Sequence, residues 1–412
     1  MHVLNRIKAG INSIEFLMYL LAISLSTLLL GYAASGIVLG VFVVFSVRYA
    51  LINKIKIQVD YALIIPIILY LLFIASLSWS VDKSQTLKGL ERTVALILVP
   101  LVFLVLPKIA LKDYRIVLKF FTIFNVFLGI FFLITAAFNF IKTKSLSALT
   151  YHELVSVFEL SAIYVAIIFS VSLFYLLSLK KRTARQNGML IFFLVFVFLL
   201  SSKTILFVLC IAAVLYLLRQ KAALINKKKI AILTILALII VGISSITLYE
   251  RFLFEKQSKF SEVLEKETFG KVYYWTGSSI RLMQLRILKE QLEEESIIFN
   301  GFGLFASRKN LDERHEKFDT YFKFHHYNYH NQYAQMLSEL GIFGLLLLLM
   351  MLISIWLRAL KTKNFFFLMF GIMMTFIFFT ESVLWRQRGL FLFIIIYALI
   401  MSVSSKEKHL AS

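Results

Sequence analysis

Apolar runs long enough to cross a bilayer recur along the whole 412-residue chain, separated by short polar loops. A crossing helix needs about 20 residues, and the pattern predicts twelve spans. They fall at 14–30, 35–50, 60–77, 93–107, 116–138, 155–177, 189–200, 204–218, 230–249, 336–357, 365–380 and 389–403. Within residues 16–47, either a tight hairpin at 31–36 or one long tilted helix fits. One polar passage is long, from residue 250 to about 335. The expected organisation is an N-terminal transmembrane bundle over 1–249, a loop domain over 250–335, and C-terminal helices with a tail over 336–412. The fold class is an all-α polytopic membrane protein.

Composition agrees: 60% of residues are hydrophobic and 16% charged, against about 25% charged in soluble domains. The net charge of +21 would suit nucleic acid, but the basic residues sit in short loops between apolar runs. That placement fits topology control and anionic lipid instead, so no nucleic-acid partner is expected. With the N-terminus inside, Arg48, Lys54, Lys108, Lys112, Lys180, Lys181, Arg182, Lys227, Lys228, Arg358 and Lys361 all fall in inside loops. The short outer loops hold fewer, among them Lys83, Arg92, Lys203, Arg386 and Arg388. The asymmetry predicts cytoplasmic termini and an outer loop domain. The first apolar run is expected to be a retained span. One cysteine, Cys210, makes no disulfide or metal framework.

Within the loop domain, mixed charge with Phe260, Val263 and Leu264 at helical spacing predicts a surface-lying helix. Tyr273, Tyr274 and Trp275 suit a bilayer interface, with sugar stacking as the alternative. Apolar residues at 280, 283, 287, 288 and 292 predict a helix capped by Ser278 or Ser279. Arg281 would then occupy the first turn, where the dipole disfavours a cation unless an anion binds there. Glu293, Glu294 and Glu295 read as a solvated run. Asn300-Gly301-Phe302-Gly303 is a glycine turn without the phosphate-loop pattern. His315, His325, His326 and His330 lie in one loop, a cluster that could bind zinc, but no zinc-site pattern is present, and His325 and His326 read as loop histidines. His330 differs, standing immediately before a helix with Asn331, Ala334 and Leu337 on one face.

Charge near the membrane is costly and marks candidate function. On the outer side Ser201-Ser202-Lys203 is a very short turn, and Glu381, Arg386 and Arg388 cluster. Glu381 reads as the partner of a neighbouring arginine, holding helices together. Cations gathered at a bilayer surface suit a lipid-borne diphosphate leaving group. An imidazole suits taking a proton from a sugar hydroxyl. A secondary transporter or flippase stays open, although there is no internal repeat and residues 231–249 and 342–356 carry no charge.

His330-Asn331-Gln332-Tyr333, the run through Glu339-Leu340-Gly341-Ile342-Phe343-Gly344, the upstream Ser279-Ile280-Arg281, the Gly301-Phe302-Gly303 turn and Ser201-Ser202-Lys203 resemble the O-antigen ligase and polymerase family. The resemblance implies a GT-C-like glycosyltransferase, metal-independent, cofactor-free and inverting, in the bacterial inner membrane. Its donor would be undecaprenyl-diphosphate-linked glycan, used on the periplasmic side. The acceptor would be lipid A–core in a ligase, or another lipid-linked glycan in a polymerase, with the ligase branch closer. By the same resemblance His330 is the base and Arg281 a diphosphate ligand. Lys203 stands where the family usually has arginine, keeping the charge without the bidentate fork. Asn331, Tyr333, Arg286, Arg386, Arg388 and Arg92 are the expected substrate-binding residues.

Overall fold

The computed structural model describes residues 10–219, 260–270 and 275–404, and among them regular structure is helical, with one isolated bridge between Ile109 and Val403. Gln387–Ser402 is the inner helix of the membrane part: from Gly389 onward every residue is buried, as a helix apolar on all faces requires. It packs on Ala95–Val105 and Gln332–Thr362. Ala162–Ser178 and Phe365–Phe378 are also largely covered. Tyr32–Ile52 instead leaves Ile37, Val44 and Leu51 exposed, an apolar face suited to lipid tails. Between helices, the Asn125 amide donates to the Ser172 hydroxyl at 2.9 Å, a polar tie of the kind that joins spans.

Four helices are long and apolar enough to cross a membrane: Tyr32–Ile52, Tyr61–Ser78, Leu111–Thr143 and Gln332–Thr362. Shorter apolar helices accompany them at Ile14–Leu29, Ala162–Ser178, Ala184–Leu199, Phe365–Phe378 and Gln387–Ser402. The protein is thus a multi-pass membrane protein, but twelve spans are not reproduced one for one. Hydropathy counts apolar residues without measuring helix length. The run at 93–107 becomes Ala95–Val105, 11 residues, which reaches only about 16 Å at 1.5 Å per residue. The run at 155–177 is helical only from Ala162. Residues 16–47 form two helices broken at Gly31 rather than one. The span expected at 230–249 lies outside the described residues.

The loop domain has its own apolar core, including Met283, Ile287, Phe302, Leu311, Phe318 and Tyr329. Gly277–Glu294 buries Ile280, Met283, Ile287 and Leu288 as expected, with Gln284 and Gln291 on the same side. Its cap is Thr276, whose hydroxyl accepts from Ser279 N–H at 3.3 Å, rather than Ser278 or Ser279. Arg281 therefore sits in the second turn, and the expected first-turn conflict with the dipole is absent. Trp275 is not an interface residue: it is buried and stacked on Phe324 at 5.4 Å. Tyr273 and Tyr274 lie outside the described residues. In Phe260–Glu265 only Val263 is buried, while Phe260 and Leu264 are exposed.

The acidic run is not merely solvated. Arg314, mostly buried, pairs with Glu294 at 2.8 Å and Glu295 at 2.6 Å, because a cation withdrawn from water needs partners. The hydrogen bond from Arg314 holds the Glu294 carboxyl below the usual range.

The glycine turn fastens this domain to the bundle. Phe302 and Gly303 N–H groups donate to the carbonyls of Ser338 and Glu339, at 2.9 and 2.8 Å. In return the Phe302 and Leu304 carbonyls accept from Val81 N–H at 3.0 Å and the Thr86 hydroxyl at 2.8 Å. At the crossing, Gly341 breaks Gln332–Thr362 with φ 63° and ψ −160°, a region essentially restricted to glycine. A Cβ there would also collide with the Phe299 carbonyl. The boundary expected between 335 and 336 falls inside this helix, and the backbone break comes at Gly341.

Candidate active site

Three turns bring the site together. Ser201, in the left-handed region at φ 49°, reverses the chain so that Lys203–Arg219 begins at Lys203. His330, at φ 47°, precedes Asn331, whose side-chain oxygen caps Gln332–Thr362 by accepting from Tyr333 and Ala334 N–H, each at 3.0 Å. Thr380 and Glu381 leave the C-terminal end of Phe365–Phe378.

Arg281 ties these turns to the loop domain. Its Nε donates to the Thr380 carbonyl at 2.9 Å, one Nη to Glu381 Oε1 at 2.9 Å, and the other Nη to the Gly277 carbonyl at 2.9 Å. Thr204 donates its hydroxyl to that of Thr380 at 3.2 Å, which connects the Lys203 turn. Glu381 Oε2 lies 3.5 Å from His330 Nδ1, within ion-pair range but too long for a settled hydrogen bond. The glutamate therefore stands between guanidinium and imidazole. Tyr327 packs edge-on against the His330 ring at 5.3 Å.

These groups line a cavity of about 1090 Å³, the size of a ligand site. Lys203, Arg281, Arg386 and Arg388 bring positive charge to it, and His330 and Glu381 face it as well. The N-terminal ends of Lys203–Arg219 and Gly277–Glu294 also line it, through Ser202, Thr204, Gly277 and Ser278. Helix N-termini add positive potential and backbone donors. Two helix ends and four cations on one space favour a multiply charged anion.

Other expected residues are placed elsewhere or committed. The Arg286 guanidinium donates to the carbonyls of Val263 and Lys266, at 2.8 and 2.7 Å, and covers the Phe318 ring at 4.5 Å. Arg92 lies over Phe305 at 5.7 Å. Neither lines the cavity. Tyr333 donates its hydroxyl to the Thr375 carbonyl at 3.0 Å, and the Asn331 oxygen is the helix cap. Arg388 donates to the Leu28 carbonyl at 3.0 Å while stacking over Tyr32 at 4.5 Å.

The histidines separate. His315 is buried, with Nδ1 3.0 Å from the Thr320 hydroxyl, and stacks on His325 at 5.9 Å. Burial pushes its pKa down to about 4, with His325 adding to the shift. His326 pairs with Asp312 at 3.0 Å. Among the described residues no three His, Cys, Asp or Glu side chains group as metal ligands would. The residue that sequence reasoning undervalued is Glu381, whose partner is Arg281 rather than an adjacent arginine. Juxtamembrane charge was its only sequence signal, since the pairing spans a hundred positions.

Residues 188–349 match the family described as O-antigen ligase. No curated protein matches the chain. The matched stretch contains Lys203, Arg281 and His330, while Glu381, Arg386 and Arg388 lie beyond it. The match over residues 188–349 supports membership of the O-antigen ligase family.

Proposed function

We propose that the protein is an inverting glycosyltransferase that moves a glycan from undecaprenyl diphosphate to a sugar hydroxyl at the periplasmic face of the inner membrane. Lipid A–core is the acceptor in this reading, which makes the protein an O-antigen ligase. The supporting observation is the single cavity in which four cations and two helix N-termini face His330. The acceptor oxygen attacks the anomeric carbon while the carbon–oxygen bond to the diphosphate breaks. Negative charge then grows on the departing phosphate, where Arg281 and Lys203 stabilise it. A guanidinium carries five N–H donors. Arg281 uses three on Gly277, Thr380 and Glu381, which leaves two for the diphosphate.

His330 receives the proton of the attacking hydroxyl. With its ring proton on Nδ1 toward Glu381, Nε2 presents the lone pair, and Glu381 stabilises the imidazolium that forms. Arg386 and Arg388 extend the positive surface for the lipid-linked anion. The loop domain, 250–335, would sit outside, with both termini in the cytoplasm.

A deletion strain complemented with His330→Ala or Arg281→Ala provides the test, with protein level and membrane insertion checked. Loss of the surface polysaccharide ladder, leaving core-only lipid A and accumulated lipid-linked polymer, supports the ligase. Core carrying a single repeat points to the polymerase, and a wild-type ladder removes both.

A further inference from the structure

The cavity extends past the cations. Tyr151, His152, Glu159 and Ser161, from the connection between Leu111–Thr143 and Ala162–Ser178, form another part of its lining. Residues 145–164 contain no lysine or arginine and two glutamates, Glu153 and Glu159. Glu159 is exposed to the cavity, held in a left-handed turn at φ 51° with its N–H donating to the Ser156 carbonyl at 2.8 Å. A fixed carboxylate repels phosphate, so this wall does not suit the diphosphate. It does suit hydroxyls, because an ionised carboxylate is a strong acceptor and nothing else.

Beside it, His152 Nδ1 accepts the Ala162 N–H at 3.2 Å, which puts the proton of the neutral ring on Nε2 and makes that atom a donor. Tyr151 packs against the His152 ring at 4.1 Å, adding an aromatic surface. An acceptor, a donor and an aromatic face on one short stretch match an uncharged polyhydroxylated ring.

We propose that residues 151–161 form the acceptor-sugar subsite of the cavity, with Glu159 and His152 holding hydroxyls of an uncharged sugar so that another hydroxyl is presented to His330. This rests on the glycosyltransferase reading above. The test uses purified protein in liposomes, with the lipid-linked donor and acceptor glycolipid both extracted from the deletion strain, each titrated against Glu159→Gln and wild type. Glu159 stands exposed on a turn, so the near-isosteric change leaves the fold in place. The expected result is a KM for acceptor raised about tenfold or more, the loss of one hydrogen bond to a charged group, with the KM for donor unchanged. His152→Gln should move the same constant. A raised donor KM with a flat acceptor KM overturns the assignment and gives the wall to the donor glycan. Unchanged constants for both overturn it outright. Absence of transfer by the wild-type protein sinks the transferase reading itself, a result distinct from either.

Discussion

Glu381→Gln separates chemistry from binding in this site. The amide keeps the shape of the side chain and still accepts the Arg281 Nη–H bond seen at 2.9 Å. It removes the negative charge 3.5 Å from His330 Nδ1. At that separation an effective dielectric of about 20 gives roughly 5 kcal/mol of attraction for an imidazolium. The His330 side chain is 25% exposed, and solvent screening reduces this to about 2 kcal/mol. If His330 becomes positive in the transition state, kcat falls about thirtyfold. The donor KM should stay level or fall, because a carboxylate that repels the diphosphate has gone. The assay is glycan transfer by reconstituted protein under donor saturation and then under acceptor saturation. An unchanged kcat, or a loss expressed only as a raised donor KM, refutes the role given to the Glu381–His330 pair.

Three further outcomes follow from the same geometry. Arg281→Lys, which cannot make three directional bonds and still offer two donors, should cut transfer about 10²- to 10³-fold, read in the same liposome assay with folding checked by thermal melting. Gly341→Ala should destabilise the protein by at least about 2 kcal/mol, since its backbone region is restricted to glycine and the Phe299 carbonyl blocks a Cβ; an unchanged melting temperature in detergent would contradict the clip. His315, with its pKa lowered by burial to about 4, binds fewer protons folded than unfolded, so stability is full above about pH 6.5 and lost as pH falls toward 4. That loss is about 3 kcal/mol by linkage, measurable as increased hydrogen exchange in Gly277–Glu294, and His315→Asn should flatten it.

Much of this site was readable where chemistry and local pattern coincide. Lys203 stands in a turn too short to hide a charge, and His330 stands directly before a strong helix start. Arg281 stands near the start of a clearly amphipathic helix, although in its second turn rather than its first. The structure places all three on one cavity. The remainder depends on pairings between distant parts of the chain, which no local pattern carries. Arg286 looked equivalent to Arg281, five positions along the same helix, but faces Val263, Lys266 and Phe318. Trp275 looked interfacial because its aromatic neighbours are sequential, whereas Phe324 takes it into the loop core. Glu159 is hidden in the pattern because residues 155–177 read as one apolar span, while the helix begins only at Ala162. Hydropathy likewise does not carry helix length, since a short buried helix such as Ala95–Val105 is as apolar as a crossing one.

The most direct test of the central claim is a cryo-electron microscopy map of the protein in nanodiscs with undecaprenyl diphosphate bound. The account predicts diphosphate density within hydrogen-bond reach of Arg281 and Lys203, on the side of the cavity facing His330. Density seated elsewhere, with that cavity free of the headgroup, would contradict it.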